Sequence, residues 1–222
     1  MKIIKMCRLN IPPEERNQPL NAENYQLLSE PYERACKTVE NRLKQMDMNY
    51  IERNERSPYH SIESRIKTLE SVKEKMQRKK IADTCMNAVN RIGDIAGIRV
   101  ICFYIAEIYI IVEKIKDMKN VIVLKEKDYV TRPRGNGYRS YHLVIGAKIP
   151  GEEEDAYLPV EIQVRTIGMD WWASMEHQLC YKPSKNGQIH LSSELKRYSK
   201  QLYRIEQQMQ IFYEPNERDE RD

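Results

Sequence analysis

The chain has 222 residues, 41% of them hydrophobic, and 37 lysines and arginines against 33 acids. That length suits one domain with helical extensions, and the net charge of +4 fits a nucleotide or nucleic-acid ligand without demanding one. No apolar run approaches the roughly 20 residues of a membrane helix, MKIIKMCRLN is too short in apolar residues for a signal peptide, and five scattered cysteines without a CxxC pair indicate neither a disulfide framework nor a zinc site. A reducing cytoplasm and no membrane partner are expected.

Tyr25, Leu28, Tyr32, Ala35, Val39, Leu43 and Met46 recur at three- and four-residue steps and predict a helix over 22–48. Residues 49–58, with Asn54 and Pro58, read as a connector. Ile62, Ile66, Leu69, Val72 and Met76 predict a second helix over about 60–80. Lys67, Ser71, Lys75 and Arg78 line another side of it, with Arg65 near the apolar edge. Three cations and a hydroxyl in a row suit a triphosphate, although a solvated helix face is the commoner origin of such a row.

From residue 95 the pattern turns to strands. IAGIRVICFY is rich in β-branched and aromatic residues. IYIIVEKIKDM reads as a helix, and VIVLKEKDYV, YRSYHLVIGAKI and LPVEIQVRT as three more strands, with GEEED at 151–155 as a turn. MDWWASMEHQLCYK is expected as a helix against the sheet. A final helix covers about 192–213, where Leu195, Tyr198, Leu202, Ile205, Met209 and Phe212 form a heptad-like seam. It could pack on its own sheet or seal a subunit contact. The polar tail EPNERDERD is expected to be disordered.

In PVEIQVRT, Glu161, Gln163 and Arg165 point opposite to Val160, Ile162 and Val164. Asp94 opens the first strand, where Gly97 and Arg99 share a face, and Tyr138 and His142 share one on the third. Together these place Asp94, Arg99, Tyr138, His142, Glu161, Gln163 and Arg165 on one side of a sheet. Two carboxylates from separate strands suit Mg²⁺, which bridges substrate phosphates. The cations suit triphosphate charge, and Tyr138 suits stacking on a base. Phosphoryl-type transfer needs little beyond positioning, a metal and a base, and Glu161 is placed to be that base. RPRGNGYRSYH, with three arginines, two glycines and a proline, reads as a loop that wraps phosphates beside an aromatic.

RIGDIAGIRV, KDYVTRPRGNGYRSYHLV, LPVEIQVRT and WWASMEHQLCYK, in that order, resemble the motifs of the RelA/SpoT-type (p)ppGpp synthetase domain, most closely the small alarmone synthetases. The resemblance spans about residues 60–182. It implies an α+β fold, a nucleotidyltransferase-like mixed β-sheet flanked by helices, with N- and C-terminal helices for oligomerisation into a homotetramer. It implies a helical segment over 1–58, a catalytic domain over 59–183, and a C-terminal helix and tail over 184–222. The implied reaction moves the β,γ-pyrophosphate of ATP to the ribose 3′-hydroxyl of GDP or GTP, with GMP a further acceptor, using Mg²⁺.

The same resemblance implies residue roles. Arg65, Lys67, Ser71, Lys75, Arg78 and Arg99 match positions that hold ATP. Asp94 matches the Mg²⁺ ligand, and Glu161 the acid that binds metal or activates the 3′-hydroxyl. Tyr138 matches the aromatic stacked on guanine, with Arg134, His142 and Gln163 in the acceptor pocket. Arg165 and Glu176 resemble supporting groups. Arg134 stands where members often carry lysine, and Asp170 where close relatives carry Asn near guanine; the acid can still accept from the guanine N1–H and N2 amine. A single-stranded RNA or an alarmone is a candidate regulator, although Ser61 replaces an aromatic of some relatives, which counts against the alarmone. No histidine is followed by Asp, so the hydrolase pair of the wider family is missing. The length is expected to leave no room for that hydrolase domain, and a synthesis-only enzyme is expected. A tRNA 3′-end pyrophosphokinase of the same fold ranks second, and a catalytically inactive nucleotide- or RNA-binding module third.

Overall fold

The computed structural model describes residues 14–54, 56–149, 157–181 and 188–213. Helix α1 (Ala22–Asn54) buries Tyr25, Leu28, Tyr32, Ala35, Val39 and Leu43 at the predicted three- and four-residue spacing. It continues through Asn54, well into the expected connector.

Residues 60–80 are not one helix. Ser61–Ile66 forms strand β1, and Leu69–Arg78 forms helix α2. Ile62 and Ile66 misled because positions four apart share a side in both a helix and a strand. The break falls at Thr68, whose hydroxyl accepts the Ser71 N–H at 3.3 Å and caps α2. A short helix α3 (Cys85–Arg91), capped by Thr84, follows; no expectation covered it. Strand β2 (Ala96–Cys102), helix α4 (Ile105–Lys116) and strand β3 (Val121–Asp128) follow as predicted to within a few residues. Strand β4 (Tyr141–Lys148) starts three residues after Tyr138, because residues 134–138 form a turn in which Gly137 N donates to Arg134 O at 2.8 Å. Strand β5 (Tyr157–Thr166) leads directly into helix α5 (Ile167–Tyr181), and helix α6 (Gln188–Met209) ends in a 3₁₀ turn, Gln210–Phe212. The expected GEEED turn and the polar tail lie outside the described residues.

The five strands make one mixed sheet in the order β1-β2-β5-β4-β3, with β2 and β5 parallel and the other pairs antiparallel. Each central strand is two-faced. Ile98, Val100, Leu143, Ile145, Val160, Ile162 and Val164 are buried in a core shared with α1 and α4. Each such side chain stabilises the fold by about 1.5–3 kcal/mol. The alternate row, Gly97, Arg99, His142, Glu161 and Gln163, is only half-buried. The sheet therefore carries its apolar half inward and offers its polar half as the floor of a site.

A second anchor ties the helices together. Glu107 is fully buried at the start of α4, where it accepts from Phe103 N at 3.0 Å and Tyr104 N at 2.9 Å and pairs with Arg56. Arg56 also lies over the rings of Tyr104 and Tyr213. The end of α1, the start of α4 and the C-terminal 3₁₀ turn thus meet at one charge pair. Glu107→Ala strands the guanidinium and two backbone donors and is expected to lower stability by about 3 kcal/mol in urea unfolding. A loss below about 1 kcal/mol, within the range of a surface pair, would refute this anchor.

The heptad-like seam of α6 faces the body only in part, through Leu195 and the half-buried Leu202. Leu195 is buried, but Tyr198, Ile205, Met209 and Phe212 are exposed. The inward side instead carries Leu195, Ser199, Tyr203 and Glu206. No described helix is long and apolar enough to cross a membrane.

Candidate active site

Asp94 sits in the turn between α3 and β2. The backbone N–H of Lys67 donates to Ile95 O at 2.9 Å and draws the Lys67 side chain to this turn from outside α2. Asp94 Oδ2 receives Lys67 Nζ at 3.4 Å and also Lys75 Nζ, which reaches across from α2. Asp94 Oδ1 is buried without a partner. Asp94, Arg65, Lys67, Gly97, Arg99 and Glu161 border one cavity of about 120 Å³. Its floor follows from register: Gly97 stands beside Glu161, and Arg99 beside Gln163, in the parallel β2–β5 pair. Asp94 and Glu161 border this cavity together, although Asp94 lies in the turn before β2 rather than opening the strand as expected. Ser71 is exposed on the first turn of α2 and is not among the lining residues. Arg78 is exposed on the last turn, about 10 Å further along the helix axis, and is not among the lining residues.

The acceptor residues form a linked chain on the same floor. Arg165, 3% exposed, donates to Gln163 Oε1, and Gln163 Nε2 donates to Glu161 Oε2 at 2.9 Å. Arg165 also reaches the Tyr138 hydroxyl at 3.4 Å, which lies 2.8 Å from His142 Nε2, and His142 Nδ1 lies 3.5 Å from Glu161 Oε1. His142, expected in the acceptor pocket, therefore joins Tyr138 to Glu161. Burial opposes ionisation of Glu161, but the hydrogen bond and charge of His142, the Gln163 amide and Lys75 outweigh it and pull the carboxyl from an ordinary 4.5 down to about 2. Burial pushes the Arg165 guanidinium below its ordinary value, yet a guanidinium stays charged.

Asp170, on the first turn of α5, stands between the two halves. Its Oδ1 lies 3.4 Å from Arg99 and 3.3 Å from Arg165, within ion-pair range but without hydrogen-bond geometry. The residue expected beside guanine therefore also touches Arg99, expected beside ATP. Arg134 covers the rings of Tyr129 and Tyr138 at 4.6 and 5.1 Å. Glu176 supports the loop rather than the floor: it accepts from Asn136 Nδ2 at 3.2 Å.

Two neighbours of the site escaped the sequence. Tyr129 packs edge-on to His142 and Tyr138 and lies under Lys127 and Arg134. Only the adjoining basic loop hints at it. Glu63 lines the cavity and lies 3.6 Å from Arg99; a strand reading of 61–66 would have set it opposite Arg99.

Asp94 Oδ1, Asp170 Oδ1 and the Nε atoms of Arg99 and Arg165 are buried without hydrogen-bond partners. Such atoms are costly unless a ligand satisfies them, and here acceptors and donors sit together. No group of three acid, histidine or cysteine side chains that could hold a metal occurs among the described residues. Two carboxylates with one orphaned oxygen nonetheless fit Mg²⁺, which takes one or two protein carboxylates and completes its shell with substrate phosphates and water. The arrangement combines a cationic cradle, a metal-competent acid and an ionised carboxylate held by a histidine.

Comparison with known proteins agrees with this chemistry. A family model described as the region found in RelA and SpoT proteins matches residues 64–186. The GTP pyrophosphokinase YwaC of Bacillus subtilis (strain 168) is 37% identical over 153 residues, 69% of this chain and 73% of its own. The GTP pyrophosphokinase YjbM of the same organism is 32% identical over 179 residues, 81% of this chain and 83% of its own. The crystal structure of small alarmone synthetase 1 from Bacillus subtilis bound to its product pppGpp superposes with a TM-score of 0.76 at 31% identity, covering 86% of this chain and 96% of that one. Small alarmone synthetase 2 from the same organism superposes with a TM-score of 0.71 at 34% identity, covering 82% of this chain and 94% of that one.

Proposed function

The chain belongs to the family of the region found in RelA and SpoT proteins, and from that premise we propose that it is a GTP pyrophosphokinase making (p)ppGpp from ATP and a guanosine nucleotide. The observation that carries this reading is the meeting of Asp94 and Glu161 on one cavity, with Lys67, Arg65 and Arg99 around it. Arg65, Lys67, Lys75 and Arg99 hold the ATP phosphates, with Ser71 at the N-terminus of α2 as a further donor. The exposure of Arg78 gives it at most an outer electrostatic part. Tyr138 stacks on guanine under Arg134, with His142, Gln163 and Asp170 completing the acceptor side.

The acceptor 3′-oxygen attacks the β-phosphorus of ATP. The bond from that phosphorus to the α,β-bridging oxygen breaks, AMP leaves, and the 3′-hydroxyl proton passes to Glu161. The carboxylate is ionised at neutral pH, and His142 and Gln163 fix its orientation. Asp94 and Glu161 would hold Mg²⁺, which when bound neutralises the charge of the donor phosphates. The catalytic unit is assigned to residues 59–183, which nearly coincide with the matched span 64–186. The sequence has no His-Asp pair, which favours synthesis alone. A cytoplasmic setting suits the nucleotide substrates, and the exposed apolar residues of α5 and α6, among them Trp171, Met175, Ile205 and Met209, support a homotetramer.

Purified protein with Mg²⁺, ATP and GMP, GDP, GTP or tRNA offered side by side tests the reading. AMP together with a guanosine 3′-diphosphate product is expected. Transfer to tRNA alone would install the second reading. Tight nucleotide binding without turnover of any acceptor would install the third.

A further inference from the structure

We propose that α6 is the backstop of the glycine loop 134–138, and that Ser199 is a positioning residue for the guanine nucleotide. The inference rests on reading that loop as the acceptor's. Gly137 has φ of 100°, a conformation side-chain-bearing residues avoid. A Cβ there would come within 3.0 Å of Lys196 Cα and Ser199 Cβ, so the helix lies directly against the loop. Ser199 is 5% exposed and donates its hydroxyl to Gly137 O. That carbonyl belongs to the peptide joining Gly137 to Tyr138. Fixing its plane fixes the direction in which the Tyr138 side chain leaves the chain.

The helix is itself anchored on both sides of this contact. One turn earlier, Trp172 Nε1 donates to Leu195 O at 2.8 Å. Two turns later, Thr166 donates to the Glu206 carboxylate. The flanks of the loop are gathered into the same joint. Arg139 lies 3.8 Å from the Tyr203 ring centre and donates to Val130 O. From the other side, Asn136 is held by Glu176 of α5. Within the loop, Arg134 N donates to Tyr138 O at 3.1 Å, and Tyr138 N to Asn136 Oδ1 at 3.1 Å. Even with the Gly137 N–Arg134 O bond, three short turn bonds alone leave a glycine-rich loop with many conformations. The contact from α6, 62 residues distant in sequence, selects one of them.

Ser199→Ala keeps the helix and removes the hydroxyl. A loop that spends less time in its binding form weakens acceptor binding by that fraction, so the Kd and KM for GDP are expected to rise about five- to tenfold. kcat at saturation and the KM for ATP should stay within about twofold, a split that general destabilisation would not give. A readout independent of activity is tryptic cleavage of the folded full-length protein, with the cut after Arg134 timed by mass spectrometry. Arg132 precedes proline and resists trypsin, whereas Arg134–Gly135 is cleavable once Arg134 leaves the Tyr129 and Tyr138 rings. Ser199→Ala should speed that cut about fivefold, because cleavage follows the population of the opened loop. Trp172→Phe, which keeps a ring but drops the bond to Leu195 O, should shift both readouts in the same direction by less. Arg197→Ala, on the solvent side of α6, should shift neither. Unchanged cleavage and unchanged GDP binding in Ser199→Ala and Trp172→Phe would overturn the proposal. Accelerated cleavage in a protein whose wild type neither binds nor turns over GDP would keep the backstop and refute the acceptor reading.

Discussion

Glu161→Gln is expected to lower AMP release by about 10³-fold or more while leaving a folded protein that still binds nucleotides. The substitution preserves volume and removes both proton-accepting and metal-binding capacity. It also disturbs its surroundings in a definable way. The carboxylate of Glu161 faces two groups at once, His142 at one oxygen and the Gln163 amide at the other. A glutamine has one acceptor to offer, so one of these must turn away or His142 must change tautomer. Glu161→Asp keeps the charge but withdraws it by one methylene, and should recover only part of the rate. Retention of more than a tenth of wild-type turnover by Glu161→Gln would remove Glu161 from the chemistry.

The same residue gives a pH signature. A carboxyl pulled down to about 2 contributes stability that is fully present above its unfolded value near 4.5 and is lost as the pH falls through 2. The stability difference between wild type and Glu161→Gln should therefore shrink between about pH 4.5 and 2. An acid limb of the rate profile above pH 4 belongs to some other group, because Glu161 is already ionised there.

Why the floor of the site was readable, and its rim was not, follows from periodicity. In β2 and β5 the alternation of aliphatic and functional residues is a local pattern, and each side chain points where that pattern puts it. Glu161 follows directly, whereas Asp94 lies in the turn before β2 and outside that alternation. The strand β1 could not be separated from a helix, since Ile62, Ile66, Leu69, Val72 and Met76 satisfy helical spacing throughout. Pairing with β2 over six residues and the Thr68 cap decide the matter. Lys67 lines the cavity with Asp94, held by a backbone bond to Ile95 rather than by a helix face. In α6 the apolar seam was compatible with packing on the sheet or with a subunit contact; Ser199 and Glu206 occupy inward positions and leave Ile205 and Met209 outside. Polar residues with a specific partner outweigh hydrophobic periodicity there, and no local signal names the partner. Tyr129 and Glu63 are set by a loop path and a cross-strand register, which only the folded chain displays.

Asp94→Asn should be as damaging as Glu161→Gln, by about 10³-fold, but with a different signature. Asp94 has a division of labour between its oxygens: Oδ2 takes the ammonium groups of Lys67 and Lys75, and Oδ1 is buried with nothing to accept from. An asparagine must turn its one oxygen toward the lysines, since its amide N–H groups would repel them. The amide nitrogen then occupies the orphaned position, and it cannot ligate a cation. Loss of the carboxylate also leaves two neighbouring ammoniums without their shared counter-charge, which strengthens their pull on ATP phosphates. ATP affinity without Mg²⁺ should therefore hold or rise, while turnover is not restored by saturating Mg²⁺. Glu161→Gln removes one of the two carboxylates but keeps Asp94, and should retain part of the Mg²⁺-dependent tightening of ATP binding. Titrating ATP into both variants with and without Mg²⁺ separates the two acids. Full rescue of Asp94→Asn by excess Mg²⁺, or identical metal dependence of both variants, would refute the assignment of the orphaned oxygen to the metal.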